Sequence, residues 1–151
     1  MNITFSMLAD PKRQSIDWSK VISQIRTLTK TVIREDGVNT FVCPCNNNYE
    51  VILFDTIIQT GKKFNAKFIL TPYRNIEETI SSKTKYLYTN IQREVDIIHP
   101  IQSARILLQR SNYLLLFGET NINKYKKIIN FCKKNNKQLI FLDSDYLFVN
   151  I

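Results

Sequence analysis

Apolar residues occur in two patterns along this chain of 151 residues, as short unbroken runs and at helical spacing. The clearest stretch is 113–117 (YLLLF), an unbroken apolar run that stops at Gly118. A continuous run of this length favours a strand that is buried on both faces of a parallel sheet. Helical spacing then begins at Ile122 and continues to Asn135. The pattern predicts a central strand, a polar turn and a helix.

The amino-terminal half repeats this alternation. Strands are predicted over 2–9, 38–44 and 67–71, and the intervening apolar spacing predicts two helices, the second over 49–64. Asp17 is the expected N-cap of the first helix, because its carboxylate can accept hydrogen bonds from the free amides of the first turn. Gly37 is the expected C-cap. Short connections between such strands imply right-handed crossovers and a parallel sheet.

The periodicity is weaker from Arg74 to Gln92, where a long irregular connection with some helix is predicted. The later elements are expected to be a short extra strand over 94–99, a helix over 101–110, a last strand over 138–143 and an apolar tail over 146–151 that packs back. No internal repeat or domain boundary is visible. The prediction is therefore a single three-layer, Rossmann-like α/β domain over 1–151, with a mostly parallel sheet of about five strands.

Composition narrows the class of protein. No apolar run approaches the ~20 residues that a membrane span needs, and the first ten residues lack the pattern of a signal peptide, so a cytoplasmic location is expected.

Three cysteines, an odd number, argue against a disulfide framework. A Cys-Pro-Cys pair at 43–45 and the single His99 do not complete a zinc ligand set. Neither a metal nor a cofactor is expected.

The formal net charge of +8 favours anionic partners such as nucleotides, nucleic acid or an acidic protein surface. Much of this charge surrounds the predicted helix after the central strand, at Lys124, Lys126, Lys127, Lys133, Lys134 and Lys137. A solvated helix face explains the same cluster without any ligand. Only Tyr125 and Phe131 interrupt the basic run, which gives weak support for stacking on single-stranded nucleic acid.

Several local motifs occur in a definite order along these elements. The first helix ends at Gly37, and 38–44 (VNTFVCP) and then 48–50 (NYE) follow it. Later come 68–73 (FILTPY), 96–98 (DII) before a helix, and 111–114 (SNYL) before the last elements. In this order and spacing the chain resembles the SLOG superfamily of Rossmann-like nucleotide-binding proteins, which includes DprA and the LOG enzymes, and is most similar to its YpsA-like branch. The resemblance covers nearly the whole chain and implies nucleotide binding and self-association into a homo-oligomer.

The loop after the central strand departs from the superfamily pattern. It reads Gly118-Glu119-Thr120, where the resemblance implies Gly-Gly-Thr, and the LOG-type motif Pro-Gly-Gly-x-Gly-Thr-x-x-Glu is absent. A phosphate-binding loop needs main-chain amides that no side chain obstructs, and Glu119 adds a negative charge. These departures favour ligand binding without catalysis.

In this architecture the loops that follow the strands meet at one edge of the sheet, where ligands bind. Arg13 or Arg74 would hold a phosphate through the guanidinium fork, and Tyr73 would stack on a base. Asn46 and Asn47 would contact sugar or base. Glu50 or Glu119 would bind ribose hydroxyls, or act as a general base for N-glycosidic cleavage. The predicted ligand-binding residues are Asp10, Arg13, Asn46, Asn47, Glu50, Tyr73, Arg74, Gly118, Glu119 and Thr120.

A structural interpretation of the same residues stays open, since polar loops end the strands of any α/β domain and a carboxylate at a helix start is favoured by the helix dipole. Three functions therefore remain. The first is capture or sensing of a small nucleotide-like molecule without catalysis. The second is a nucleosidase or phosphoribohydrolase. The third is binding of nucleic acid or protein through the basic face, in which case affinity falls steeply with salt.

Overall fold

A computed structural model describes residues 2–11, 16–72, 80–118, 123–142 and 148–150. Strands and helices alternate in the predicted order. The strands are β1 (Thr4–Asp10), β2 (Thr40–Cys43), β3 (Lys67–Leu70), β4 (Ile97–Ile98), β5 (Tyr113–Gly118), β6 (Gln138–Leu142) and β7 (Phe148–Asn150). The helices are α1 (Trp18–Asp36), α2 (Asn48–Gly61), α3 (Ser82–Glu94), α4 (Ala104–Arg110) and α5 (Asn123–Lys134), and a 3-10 turn (Lys62–Phe64) follows α2.

All the described strands form one sheet, in the order β4-β3-β2-β1-β5-β6-β7. The first six strands are parallel to one another, and β7 pairs antiparallel with β6. The predicted Rossmann-like α/β domain with a mostly parallel sheet is confirmed, and the strand number is corrected upward from about five. Strand β4 lies within the short extra strand predicted over 94–99, and β7 lies within the apolar tail predicted over 146–151.

The helices sit in two layers because successive side chains of a strand point to opposite faces of the sheet. One face of β1 and β5 carries Phe5, Met7, Leu115 and Phe117, which pack against α1, α2 and α3. The other face carries Leu8, Leu114 and Leu116, which pack against α4 and α5. The chain therefore has two apolar cores, one on each side of the sheet.

Helix α1 begins and ends where its capping residues predict. The Asp17 side chain accepts a hydrogen bond from the amide of Lys20, and Gly37 has the left-handed backbone (φ 71°) of a C-cap. The amide of Val38 closes the turn by donating to the carbonyl of Val32 at 3.0 Å. Both capping predictions are confirmed.

Two helices differ from their predicted form. Ser82–Glu94, predicted as part of an irregular connection, forms the regular helix α3, which buries Thr84, Tyr88 and Ile91 against α2. Only a narrow stripe of α3 is apolar, because the solvent-facing positions are polar. The helical period of apolar residues is therefore weak in the sequence. Helix α4 is shorter than the predicted 101–110 and buries Leu107 and Leu108, while Ile106 is half-buried.

Candidate functional site

The ends of β1 and β5 lie side by side at the carboxyl edge of the sheet. Asp10 and Gly118, the last residues of these two strands, are paired in register. The helix that follows β1 packs on one face of the sheet, and the helix that follows β5 packs on the other. This divergence is the topological switch point at which open α/β sheets bind ligands. Asp10 and Gly118 are both half-buried there.

Glu50 joins the end of β1 to the loop after β2. Its carboxylate accepts a hydrogen bond from the amide of Ala9 at 3.1 Å and another from the amide of Asn46 at 2.9 Å. The side chain is 4% exposed, so these amides hold a buried negative charge at the first turn of α2, where the helix dipole also favours it. Both carboxylate oxygens therefore have structural partners.

Asn47 and Asn48 complete this junction. Asn47 is the N-cap of α2: its side-chain oxygen accepts from the amide of Glu50 at 2.9 Å, and its side-chain nitrogen donates to the carbonyl of Ala9 at 2.7 Å. Asn48 begins the helix and accepts from the amide of Ser81 and the hydroxyl of Thr84. The asparagines thus position α2 against β1 and α3. The sequence predicted a turn here but not the contact between Asn48 and α3, because the partners lie more than thirty residues away.

Packing against Tyr125 explains why glycine occupies position 118. A Cβ at this position would lie 2.3 Å from Cε2 of Tyr125 and 2.8 Å from its hydroxyl oxygen. The Tyr125 ring, which is 1% exposed, therefore occupies the space that any other residue would need. Close approach of helix and strand is one of the roles that glycine has at such loops.

The Cys43 and Cys45 thiols lie beneath the junction, with their sulfur atoms 3.7 Å apart. Both are free and fully buried. Burial raises the pKa of both thiols, that of Cys43 well above its usual value. The described residues contain no group of three or more His, Cys, Asp or Glu side chains arranged to hold a metal ion.

The structure brings Asp10, Asn46, Asn47, Glu50 and Gly118 to one edge of the sheet, linked through the contacts given above. The other predicted residues, Arg13, Tyr73, Arg74, Glu119 and Thr120, lie outside the described residues. Asn46, at 5% exposure, and Glu50 are buried, so neither presents its side chain to solvent as a ligand arm would.

The basic face of α5 is a solvated one. Lys126, Lys127, Lys133 and Lys134 are exposed, whereas Tyr125 is buried in the core. Tyr125, one of the two aromatic residues within the basic run, therefore has no surface on which a base could stack. None of the described helices is long and apolar enough to cross a membrane.

Comparison with solved structures identifies similar folds. Two structures of the Moco carrier protein from Chlamydomonas reinhardtii match the chain with TM-scores of 0.56 and 0.53. The first is 13% identical and aligns over 97% of this chain and 80% of its own; the second is 12% identical and aligns over 93% and 76%. No protein-family model matches the sequence, and no curated protein sequence matches it significantly. At this identity the likeness supports the fold.

Proposed function

We propose that the protein captures a small nucleotide-like ligand in the crevice between the carboxyl ends of β1 and β5, and that it holds the ligand without transforming it. The observation that carries the proposal is the switch point, where Asp10 and Gly118 end side by side and the next helices, α1 and α5, lie on opposite faces of the sheet. Asp10 and Gly118, both half-buried, lie at this edge beside the main-chain groups that end the two strands.

The hydrogen bonds of Glu50 support ligand capture without catalysis. A general base needs a carboxylate oxygen within hydrogen-bond reach of the substrate proton, yet both oxygens of Glu50 accept main-chain amides within the fold. The similar solved proteins are carriers of Moco, the molybdenum cofactor, which supports a holding role for a ligand of cofactor size.

Native mass spectrometry of the purified protein tests the proposal directly. We expect a stoichiometric adduct that is released on denaturation and can be identified by its mass. The same spectrum measures the homo-oligomer that the SLOG resemblance implies. A protein that carries no adduct, and whose unfolding temperature does not rise with AMP, ADP, ATP, NAD or ADP-ribose, would contradict capture of a nucleotide-like ligand.

The predicted phosphate contacts give a second test. If Arg13 and Arg74 supply the guanidinium fork, Arg13→Ala and Arg74→Ala should each weaken nucleotide binding by roughly tenfold or more, as expected for a charge-assisted hydrogen bond. Arg26→Ala is the matched control, because Arg26 is exposed on α1. Equal affinities for all three variants would place the phosphate elsewhere.

Nucleic-acid binding through the α5 lysines is the alternative. The exposed lysines permit it, but the burial of Tyr125 removes an aromatic stacking surface. A salt titration against single-stranded DNA and RNA distinguishes the two, since phosphate contacts give an affinity that falls steeply with salt.

A further inference from the structure

A cavity lies on the face of the sheet that carries α4 and α5. These two helices pack against β1 and β6, and the cavity, of about 280 Å³, remains beside α4, over β1 to β4. It is separate from the carboxyl-edge crevice, and its lining includes neither Asp10 nor Gly118. Parallel sheets are normally covered on both faces, so this open floor is unusual.

Strand alternation determines the floor of the cavity. Lys67 and Ile69 of β3 and Thr71, just after its end, line it at every second position, and β2 contributes Thr40 and Val42 in the same way. The opposite face of the same strands carries the large side chains of the α1–α3 core. The cavity face therefore combines an apolar surface with a few hydroxyl groups.

One of these hydroxyl groups has no partner. Thr71 is 5% exposed, and among the described residues its Oγ1 forms no hydrogen bond. Ser6 and Ser111, which also line the cavity, are by contrast hydrogen-bonded to each other, and Ser111 also donates to the carbonyl of Leu107. A buried hydroxyl without a partner is costly, so Thr71 calls for a hydrogen-bonding group inside the cavity.

The charges at the cavity rim have one sign. Lys67 and Arg110 line it and are exposed, and none of the described lining residues is acidic. A second copy of this chain, with its formal charge of +8, would bring more positive charge to this rim, and like charges in contact are unfavourable. The rim is complementary to an anion.

We propose that this cavity binds a small amphipathic anion, with an extended apolar body, an acidic head group at Lys67 and Arg110, and a second hydrogen-bonding group at Thr71. Lys67 and Thr71 are separated by four strand steps of about 3.3 Å, which gives a length of about 13 Å. The cavity volume is near the lower end of the range for small-molecule sites. A hydroxylated medium-chain carboxylate has this length and chemistry.

Methyl NMR of the isoleucine-labelled protein tests the site with three probes: decanoate, 10-hydroxydecanoate and decan-1-ol, all below their aggregation limits. We expect decanoate to shift the methyl signals of Ile69, Ile97 and Ile106, which line the cavity. The signals of Ile25 and Ile58, which lie in the other core, should stay in place. Decanoate should bind roughly tenfold more tightly than decan-1-ol, because charged hydrogen bonds contribute more than neutral ones.

Two variants separate the polar contacts. Lys67→Met with Arg110→Met should abolish the preference for decanoate over decan-1-ol, whereas Lys126→Met, on the exposed face of α5, should preserve it. Thr71→Val should abolish the preference for 10-hydroxydecanoate over decanoate while leaving decanoate affinity unchanged.

Three results would overturn the proposal. The first is the absence of methyl shifts, and the second is shifts that spread equally over both cores. The third is cavity shifts that follow protein concentration rather than probe concentration, since these would identify a second copy as the occupant. None of these results depends on nucleotide binding at the carboxyl edge, so the two proposals can fail separately.

Discussion

At residue 118 the requirement for glycine comes from one aromatic ring. Gly118 does not have a positive φ, unlike Gly37, so its backbone conformation does not exclude other residues. The Tyr125 ring excludes them, because it fills the position of a Cβ. The identity of this loop residue is therefore explained by packing between β5 and α5, and no phosphate is needed to account for it.

Gly118→Ala should destabilise the fold by about 1–3 kcal/mol, the usual cost of overpacking a core. Chemical denaturation measures the loss. In a Tyr125→Leu background the same change should cost less, because the ring that it meets is gone. An equal cost in both backgrounds would show that Tyr125 is not the cause.

Thr71→Val should raise the free energy of unfolding by about 1 kcal/mol, because valine keeps the shape and removes an unpartnered buried hydroxyl. Thr60→Val is the matched control. Thr60 is also buried, but its hydroxyl donates to the carbonyl of Thr56 at 2.8 Å, so its replacement should lower stability. Loss of stability in both variants would mean that Thr71 already has a partner, such as bound water.

At the scale of elements, the first turn of α2 joins three parts of the fold. The Glu50 carboxylate connects it to β1 and to the loop after β2, and Asn48 connects it to the start of α3. Asn46, Asn47 and Glu50 were predicted to contact a ligand. Their described contacts are within the protein, so a loss of binding in a Glu50 variant has to be separated from a loss of folding.

Glu50→Gln should lower the free energy of unfolding by about 2 kcal/mol. The amide keeps one acceptor oxygen but turns an NH₂ group toward a main-chain amide, and hydrogen bonds to a charged group contribute about 1.5–3 kcal/mol. Glu35→Gln, at an exposed position of α1, is the control and should change stability little. A Glu50→Gln protein of full stability would mean that the carboxylate is dispensable to the fold.

Asp55 makes the packing of α2 sensitive to pH. Burial raises the pKa of its carboxyl, and the nearby Glu94 raises it further. An acid whose pKa is higher in the folded state than in the unfolded state destabilises the fold once pH rises through the folded pKa. Asp55→Asn should therefore raise the unfolding temperature at pH 7 and lose this advantage below the pKa of an ordinary aspartate. If Asp55→Asn raised the unfolding temperature equally at pH 3 and pH 7, the raised pKa of Asp55 would not be the cause.

At the scale of the whole molecule, one sheet supports both cores. Cys43 and Cys45 belong to the α1–α3 core and Cys132 to the α4–α5 core. Since each layer packs on the same central strands, neither has a sheet of its own on which to remain folded. The layers should therefore unfold together, as small domains usually do.

Thiol labelling measures this coupling. All three cysteines are buried and burial raises the pKa of each thiol, so alkylation of the native protein at pH 8 should be slow at every site. The opening free energies derived from the three alkylation rates should agree with one another and with the global free energy of unfolding. Much faster modification of Cys132 alone would show that the α4–α5 layer opens separately.

Local patterns in the sequence determined the order of elements, both ends of α1 and the buried central strand. These features depend on residues close together in the chain: an apolar stripe, a carboxylate before the first turn and a glycine after the last. The same logic placed polar residues at the ends of the strands. It located the edge strand β4 within 94–99 but did not identify β7, because three residues of an apolar tail are too few to show a strand period.

Contacts between distant residues decided the rest. Glu50 meets Ala9 across 41 positions and Asn48 meets Ser81 across 33, so no local pattern shows that these polar side chains are used within the fold. Lys67 and the Thr71 hydroxyl line the same cavity because alternate residues of an extended strand share one face. Arg110 reaches this cavity from the end of α4, which packs over the sheet. The sequence thus indicated a candidate ligand-binding edge, and tertiary packing decided which of its polar groups are used within the fold.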